Sequence, residues 1–156
     1  MKRTANIQLL NGFTMIEVIV VLFIMAIVAS FVLFRPSTSA NELVAQAEIL
    51  KSHLRYAQIK AMNDEVPWGI RIADAKSYIL YKNNAQATED ILPGEEPGEE
   101  AQTHTFPTEV SVSSGVGTTV NFDSWGSPVA GAQTITLTQA TSTSSITVTK
   151  NTGYIQ

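Results

Sequence analysis

The sequence predicts an α+β protein, in which a helical N-terminal part precedes a domain of antiparallel strands. Three observations support this fold class. The stretch 13–34 is apolar or small at every position except Thr14, Glu17 and Ser30. The residues after it carry apolar side chains three and four apart, which is typical of an amphipathic helix. The remainder alternates aliphatic and hydroxyl-bearing residues, which is typical of strands with one buried and one solvated face.

The apolar stretch predicts a membrane helix with one functional carboxylate. As a helix, residues 13–34 would reach about 33 Å, enough to cross a hydrocarbon core of about 30 Å. Glu17 is the single charged residue within it. A carboxylate there costs about 2.5–3.5 kcal/mol on insertion scales, so Glu17 is a candidate functional residue. A polar leader with Lys2 and Arg3 precedes the stretch, and Gly12 marks the junction.

The N-terminal part of the chain resembles a type IV prepilin. The resemblance is carried by the short basic leader, the segment Gly12-Phe13-Thr14, Glu17 and the unbroken apolar helix. The resemblance implies that a prepilin peptidase cleaves between Gly12 and Phe13 and that the new Phe13 amine is N-methylated. It also implies that Glu17 acts in subunit assembly, by pairing with the Phe13 ammonium of a neighbouring subunit. The physics is consistent with this role, because two opposite charges in lipid satisfy each other only when the subunits stack in register.

Two simpler interpretations of the N-terminal stretch remain open. It could be an ordinary membrane anchor, in which Glu17 extends to the lipid headgroups. It could also be a secretory signal, since Thr38-Ser39-Ala40 offers small residues for cleavage before Asn41. The apolar run argues against a signal, because it exceeds the usual core of about 7–15 residues.

Composition restricts the partners and the chemistry of the remaining domain. Removing Lys2 and Arg3 with the leader leaves 8 basic residues against 14 acidic ones, a formal charge of −6. An acidic domain repels phosphate backbones, which argues against nucleic acid as a partner. The chain has no cysteine. Disulfides and thiolate metal sites are therefore excluded.

The segment after the apolar stretch predicts a break and then a second helix. Pro36 predicts a kink, because proline removes an intrahelical donor and clashes with the preceding turn. Ser39 and Glu42 have the spacing of a capping box. One apolar stripe follows, and we expect it to pack on the protein's own sheet, with a partner helix as the alternative. The stripe consists of Leu43, Ala47, Leu50, Leu54, Ala57 and Ala61.

Period-two alternation then predicts a series of short strands. The predicted strands are 68–72, 77–81, 109–112, 119–122, 134–138 and 145–149. Between the second and the third lies the acidic segment 83–102, for which the composition predicts an exposed loop of the disordered type. Its carboxylates could bind calcium, but a run of charges is more often simply solvated and an EF-hand spacing is absent. The acidic residues concerned are Glu95, Glu96, Glu99 and Glu100.

The order of helix and strands resembles the minor pilins and pseudopilins of the GspH/FimT type. The resemblance is carried by the helical segment Leu50–Ala61, by Phe122 with Gly126, and by Ile146–Val148 followed by Gly153-Tyr154-Ile155. It implies a low-copy subunit near the tip of a pilus or secretion pseudopilus that helps to initiate assembly. Where members commonly have an arginine after the last glycine, this chain has Tyr154, and it lacks a basic C-terminal tail. This departure argues against the DNA capture known for some members.

No motif for catalysis or for a cofactor is present in the sequence. His53 and His104 lack a metal-ligand spacing, and neither a nucleophile elbow nor a phosphate-binding glycine loop occurs. We therefore predict a protein that is not an enzyme and has no cofactor or metal. Trp68 and Trp125 are interpreted as packing anchors rather than ligand platforms.

These observations predict a pilin-like fold with a leader (1–12), a transmembrane half-helix (13–35), an amphipathic half-helix (36–63) and a β-rich head (64–156). The expected partners are other pilin or pseudopilin subunits, the prepilin peptidase, the inner-membrane assembly platform with its ATPase, and membrane lipid. The expected location is the inner membrane, as a single-pass protein with an exported head, and then an extracytoplasmic filament. Two alternatives remain: a DNA- or surface-binding subunit, and a membrane-tethered binding domain outside any filament.

Overall fold

The computed structural model describes residues 14–33, 39–98 and 100–156. The chain divides into two compact units, Met1–Ser37 and Thr38–Gln156. The first unit contains helix α1 (Met15–Leu33), which is apolar throughout except for Glu17 and Ser30. Within the described part of the chain, no helix is both long and apolar enough to cross a membrane. The kink predicted at Pro36 lies outside the described residues.

The second unit contains helix α2 (Ser39–Asp64) and eight described strands, which form two antiparallel sheets. The first sheet has the order β3-β2-β1-β6, with β4 also paired to β2, and the second has the order β5-β7-β8. The strands are β1 (Trp68–Ile72), β2 (Ser77–Lys82), β3 (Ala85–Gln86), β4 (Thr103–Thr105), β5 (Ser111–Ser114), β6 (Thr119–Phe122), β7 (Gln133–Gln139) and β8 (Ser142–Val148).

Helix α2 packs against strands of both sheets, so the hydrophobic core lies between helix and sheets. All six residues of the predicted apolar stripe are buried, with exposures of 0–3%. The α+β fold class and the packing of the stripe on the protein's own sheets are therefore confirmed. The inner faces of the strands complete the core, for example through Ile70, Phe122 and Ile146.

The β1–β2 hairpin predicted from alternation is present, but two strands have other boundaries than predicted and two short strands were not predicted. The strand predicted at 145–149 runs instead from Ser142 to Val148. β1 and β2 pair as expected, with Ile70 opposite Leu80. The strand predicted to start at Glu109 starts at Ser111, because Val110 closes a turn by donating to the carbonyl oxygen of Pro107 at 3.0 Å. β3 and β4 had not been predicted, since strands of two and three residues are too short to show a period.

The prediction of an exposed loop at 83–102 is wrong in part. Ala87, Leu92 and Ala101 are buried in this segment. The N–H of Leu92 donates to the carbonyl oxygen of Ala101 at 2.9 Å, and the N–H of Leu80 donates to Gln102 at 2.8 Å. The average composition is polar, yet a few apolar side chains reach the core and the backbone pairs with the edge of β2. The segment is therefore folded onto the first sheet.

Candidate functional site

Glu17 lies in the first turn of α1, where it takes part in capping the helix. Its backbone N–H donates to the carbonyl oxygen of Thr14 at 3.1 Å and to the Thr14 hydroxyl at 3.3 Å. Thr14 and Glu17 thus have the residue types, spacing and one of the two hydrogen bonds of a capping box. A negative charge in the first turn also suits the positive end of the helix dipole. This local role of Thr14 is not among the predictions from the sequence, although the Thr-x-x-Glu spacing is a signal for it.

The remaining residues of the predicted processing site, Gly12 and Phe13, lie outside the described residues. Their assignment to peptidase cleavage and N-methylation stays a prediction. What the structure adds is the environment of α1 itself. From Met15 to Val28 its large apolar side chains are 47–85% exposed, and Glu17 is the only charged residue in the helix.

In the second unit, one glutamine of α2 joins the two segments that carry the glycines noted in the sequence. The Gln58 side-chain amide donates to the carbonyl oxygen of Gly126 at 2.7 Å and to that of Gly153 at 3.1 Å. Both glycines have positive φ, 75° and 60°. A Cβ on Gly153 would overlap the carbonyl oxygen of Gly126 and the Gln58 amide nitrogen. We call this arrangement of Gln58, Gly126 and Gly153 the glycine clamp.

The clamp holds the C-terminal segment and the turn after β6 against the end of α2. Arg55, one turn before Gln58, donates to the carbonyl oxygen of Ile155 at 3.3 Å. On the other side, the Asp123 carboxylate accepts the N–H groups of Trp125 and Ser127, each at 2.9 Å. The turn is therefore ordered by its own aspartate as well as by the helix.

Both tryptophans were predicted to be packing anchors, and the structure confirms this for only one of the two. Trp68 is fully buried and donates its indole N–H to Asp64 at 3.1 Å, so its assignment as a packing anchor is confirmed. The ammonium groups of Lys60 and Lys82 lie 4.8 Å from the centre of its ring system. Trp125 is 86% exposed, so its assignment as a packing anchor is wrong. The Asp123 turn directs it to solvent, a geometry that residue type alone does not reveal.

The structure brings together two histidines that lie 51 positions apart in the sequence. His53, on α2, is buried and its ring lies 5.7 Å from that of His104 on β4. His53 Nε2 is 2.8 Å from the carbonyl oxygen of Pro93, which can only accept, so Nε2 carries the proton. Nδ1 then accepts from the Tyr78 hydroxyl at 2.8 Å. Burial lowers the pKa of the His53 imidazole, and His104 acts in the same direction against the opposing effect of the Pro93 carbonyl.

His104 connects the acidic segment to α2. Its Nδ1 is 2.5 Å from a carboxylate oxygen of Glu95, and its Nε2 is 3.0 Å from the side-chain oxygen of Gln46. The Gln46 amide group in turn donates to Glu42 at 3.0 Å, which is consistent with this orientation. Both ring nitrogens thus lie next to acceptor oxygens. This network could not be predicted from the sequence, since nothing in the local sequence links these residues.

His53, His104 and their hydrogen-bond partners form a polar cluster that stabilises the fold. Every ring nitrogen of the two histidines has a protein partner. Among the residues that the structure describes, no group of three or more histidine, cysteine or acidic side chains could hold a metal ion. Of the candidate calcium ligands, Glu99 lies outside that part of the chain.

A helix packed across antiparallel sheets, together with a separate apolar helix, defines this chain as a protein of the pilin-like α+β class. Residues 11–33 match the prokaryotic N-terminal methylation motif, and residues 46–153 match the family described as type II transport protein GspH. Since the second match covers more than half of the chain, the protein belongs to the GspH family. The predicted resemblance to prepilins and to GspH/FimT-type subunits is thereby confirmed, and the chain is minor pilin-like or pseudopilin-like.

Solved structures show the same fold. The type IV minor pilin FimU of Pseudomonas aeruginosa PAO1, in its P21 crystal form, is similar with a TM-score of 0.55 and 20% sequence identity over 78% of this chain and 91% of that chain. Its P65 crystal form gives a TM-score of 0.52 and 18% identity over 73% of this chain and 90% of that chain. No curated protein gives a significant sequence match.

Proposed function

We propose that this protein is a structural subunit, not an enzyme, of a type IV pilus or a type II secretion pseudopilus. The observation that carries the proposal is α1: its large apolar side chains are exposed, and a single carboxylate stands in its first turn. Such a helix requires lipid or other apolar helices around it. Membership of the GspH family supports other pilin or pseudopilin subunits as these partners.

In this proposal the N-terminal stretch acts twice. The precursor is held in the inner membrane by residues 13–35, with the head exported. The prepilin peptidase cleaves between Gly12 and Phe13, and the Phe13 amine is N-methylated. The assembly platform and its ATPase then move the helix from lipid into the filament core. The match of residues 11–33 to the methylation motif supports this sequence of events.

Glu17 sets the register of the subunit in the filament. Its carboxylate pairs with the Phe13 ammonium of a neighbouring subunit, which neutralises two charges that are each costly in an apolar surrounding. The exposed position of Glu17 in the first turn of α1 supports this, since the side chain is accessible to a second chain. We further propose a low-copy position near the tip or in initiation.

A nucleic-acid-binding role has less support from the charges of the head. Three of its lysines lie next to carboxylates: Lys51 by Glu48, Lys60 by Asp90 and Lys82 by Asp64. Lys76 instead donates to backbone carbonyls of the loop before β5. These cations therefore serve the fold rather than form a continuous basic surface.

The experiment that tests the proposal is intact-mass measurement and N-terminal sequencing of the protein from its native cells. A chain that begins at N-methylated Phe13 supports the proposal. A start at Asn41 would instead indicate a secreted domain, and an uncut chain would indicate a tethered one. Replacing Gly12 with valine is the matched control, because a bulky residue at the cleavage site should leave the precursor uncut.

A further inference from the structure

Trp125 is an exposed aromatic residue on a turn that the fold holds in a fixed position. It is 86% exposed, although tryptophan is on average highly buried in proteins. The turn is closed by two backbone hydrogen bonds. The N–H of Asp123 donates to the carbonyl oxygen of Ser127, and the N–H of Gly126 donates to that of Asp123, each at 2.9 Å. The fold gains little from the Trp125 side chain itself, so its exposure on an ordered turn requires another explanation.

A groove of about 530 Å³ lies beside this turn. It is lined on one side by Asp123, Ser127 and Val129 and on the other by Lys150 and Asn151. We call it the turn groove. The Ser127 hydroxyl joins its two sides by donating to the carbonyl oxygen of Asn151 at 2.5 Å. Ligand sites in proteins commonly measure about 300–1,000 Å³, so the turn groove is large enough to hold a small ligand or part of a longer one.

Three side chains of the turn groove have hydrogen-bonding capacity that the protein does not use. Asp123 accepts two N–H groups of its own turn at one carboxylate oxygen, Oδ1. Among the residues that the structure describes, its Oδ2, the Lys150 ammonium and the Asn151 side-chain amide have no protein partner. Together they offer both donors and acceptors to a ligand. The two charges are opposite in sign and the run 124–149 between them is uncharged, which favours a neutral ligand over an anion.

The exposed apolar surface next to these polar groups decides between ligand classes. Trp125 stands two positions from both Asp123 and Ser127, and Val129 within the groove is 63% exposed. A matching ligand presents a flat apolar face and carries several neutral donors and acceptors at its edge. A pyranose ring has this combination, because its axial C–H groups form an apolar face and its hydroxyls surround the ring. A peptide would instead use an open strand edge or apolar side-chain pockets, whereas the lining here is largely polar.

We propose that the turn groove, together with Trp125, is a binding site for a neutral carbohydrate chain. One pyranose ring stacks on the Trp125 indole. Hydroxyls of that ring and of its neighbour bind the Asp123 carboxylate, the Lys150 ammonium and the Asn151 amide. Because the turn is already ordered by its own hydrogen bonds and by the glycine clamp, little conformational freedom is lost on binding. This site goes beyond the proposed function, since a filament subunit does not require a carbohydrate ligand.

The test is an NMR titration of the full-length chain in dodecylphosphocholine micelles, because a detergent with a sugar headgroup would compete for the site. The probes are the neutral hexasaccharides cellohexaose, chitohexaose, maltohexaose and mannohexaose, each added to about 10 mM. We expect at least one of them to shift the Trp125 indole N–H and the Lys150 and Asn151 amides, with half-saturation at about 1 mM or below. The indole signal of the buried Trp68 should stay in place. If none of the probes gave a saturable shift, the proposal would be overturned.

Variants of Trp125 and Asn151 test the groups that bind. Trp125→Ala should raise the dissociation constant about tenfold or more, whereas the matched Trp125→Phe, which keeps a flat ring, should raise it only about threefold. Asn151 has a φ of 71°, which glycine adopts without strain, so Asn151→Gly removes the side-chain amide alone. We expect this variant to bind about threefold more weakly or worse. Wild-type affinity in Trp125→Ala, or an equal loss in Trp125→Phe, would contradict stacking on Trp125.

A polypeptide is the competing occupant of the turn groove, since exposed tryptophans are also enriched in protein interfaces. Acetylated and amidated hexaproline, an extended chain without charge, is therefore titrated under the same conditions. Shifts of the Trp125 and Asn151 signals by hexaproline, with none by the sugars, would assign the groove to a protein partner and overturn the proposal. Equal affinity for hexaproline and for the sugars would also overturn it, because the groove would then not recognise the hydroxyls.

Discussion

Gly153 approaches Gly126 so closely that a single added carbon on Gly153 would overlap the carbonyl oxygen of Gly126. The two glycines come from separate turns, 27 positions apart in the chain, and Gln58 donates to both of their carbonyl oxygens. The glycine clamp thus ties the C-terminal segment, the turn after β6 and helix α2 to one another.

Gly153→Ala should destabilise the head by about 2–4 kcal/mol, because it adds a steric overlap to a strained positive φ. Gly117→Ala is the matched control: Gly117 has a φ of 77°, and nothing lies within 4 Å of an added Cβ. It should cost only the conformational strain of about 1–2 kcal/mol. Denaturant unfolding followed by tryptophan fluorescence measures both. Equal costs would show that the close approach of the two glycines does not matter for stability.

Gln58→Leu should reduce the free energy of unfolding by about 1–3 kcal/mol, because two part-buried carbonyl oxygens lose their donor. The same substitution at the exposed Gln86 of β3 serves as the control and should change stability by no more than about 0.5 kcal/mol. The same unfolding measurement applies. If both variants were equally stable, water would be an adequate replacement for the Gln58 amide.

His53 should make stability depend on pH. Its folded-state pKa is lowered by burial, so the stability contributed by the neutral ring is present above the unfolded-state pKa of about 6.5 and is lost as the pH falls below it. His53→Gln keeps polar groups at the site but does not titrate. The stability advantage of the wild type over this variant should therefore shrink between pH 8 and pH 5.

The difference between the two proteins, rather than the pH profile of either one, isolates His53. Glu95, His104 and Tyr78 also face this cluster, and they are unchanged in the variant. Denaturation midpoints measured for both proteins at the same series of pH values check the prediction. A difference that stays constant across the series would mean that the pKa of His53 is the same in the folded and unfolded states.

Glu17→Gln tests whether the negative charge of Glu17 is required. Glutamine can replace glutamate in a capping box, but it cannot pair as a charge with an ammonium group. We expect Glu17→Gln and Glu17→Ala to lower incorporation into sheared filaments by about tenfold or more, as for loss of a desolvated charge pair. Cleavage of the leader should continue in both. Normal incorporation of Glu17→Gln alongside loss in Glu17→Ala would assign Glu17 to helix capping alone.

Trp68→Ala should cost about 3–5 kcal/mol, because it leaves a cavity in the core. Trp125→Ala should change stability by no more than about 0.5 kcal/mol, since the side chain is solvated. The two variants compare the same residue type in opposite environments. A large loss for Trp125→Ala, measured by thermal unfolding, would contradict the exposed position of that side chain.

Local patterns predicted the elements that depend on neighbours in the sequence. The stripe from Leu43 to Ala61 could be identified because helix periodicity places such residues on one face, and all of them are buried. The β1–β2 hairpin followed from alternation in the same way. The strands β3 and β4 and the burial of Leu92 could not be predicted, because they depend on pairing with β2 and on the core rather than on local composition.

The sequence by itself determined the α+β class, the apolar N-terminal stretch with its one carboxylate, and the resemblance to prepilins. These are properties of composition, period and motif, which need no knowledge of distant contacts. The tertiary structure decided which residues meet: His53 with His104, Gln58 with two glycines, and β8 with the C-terminal segment. It also decided that Trp125 is solvated while Trp68 is buried. Such pairings join positions far apart in the chain, and only the packing of helix on sheets brings them together.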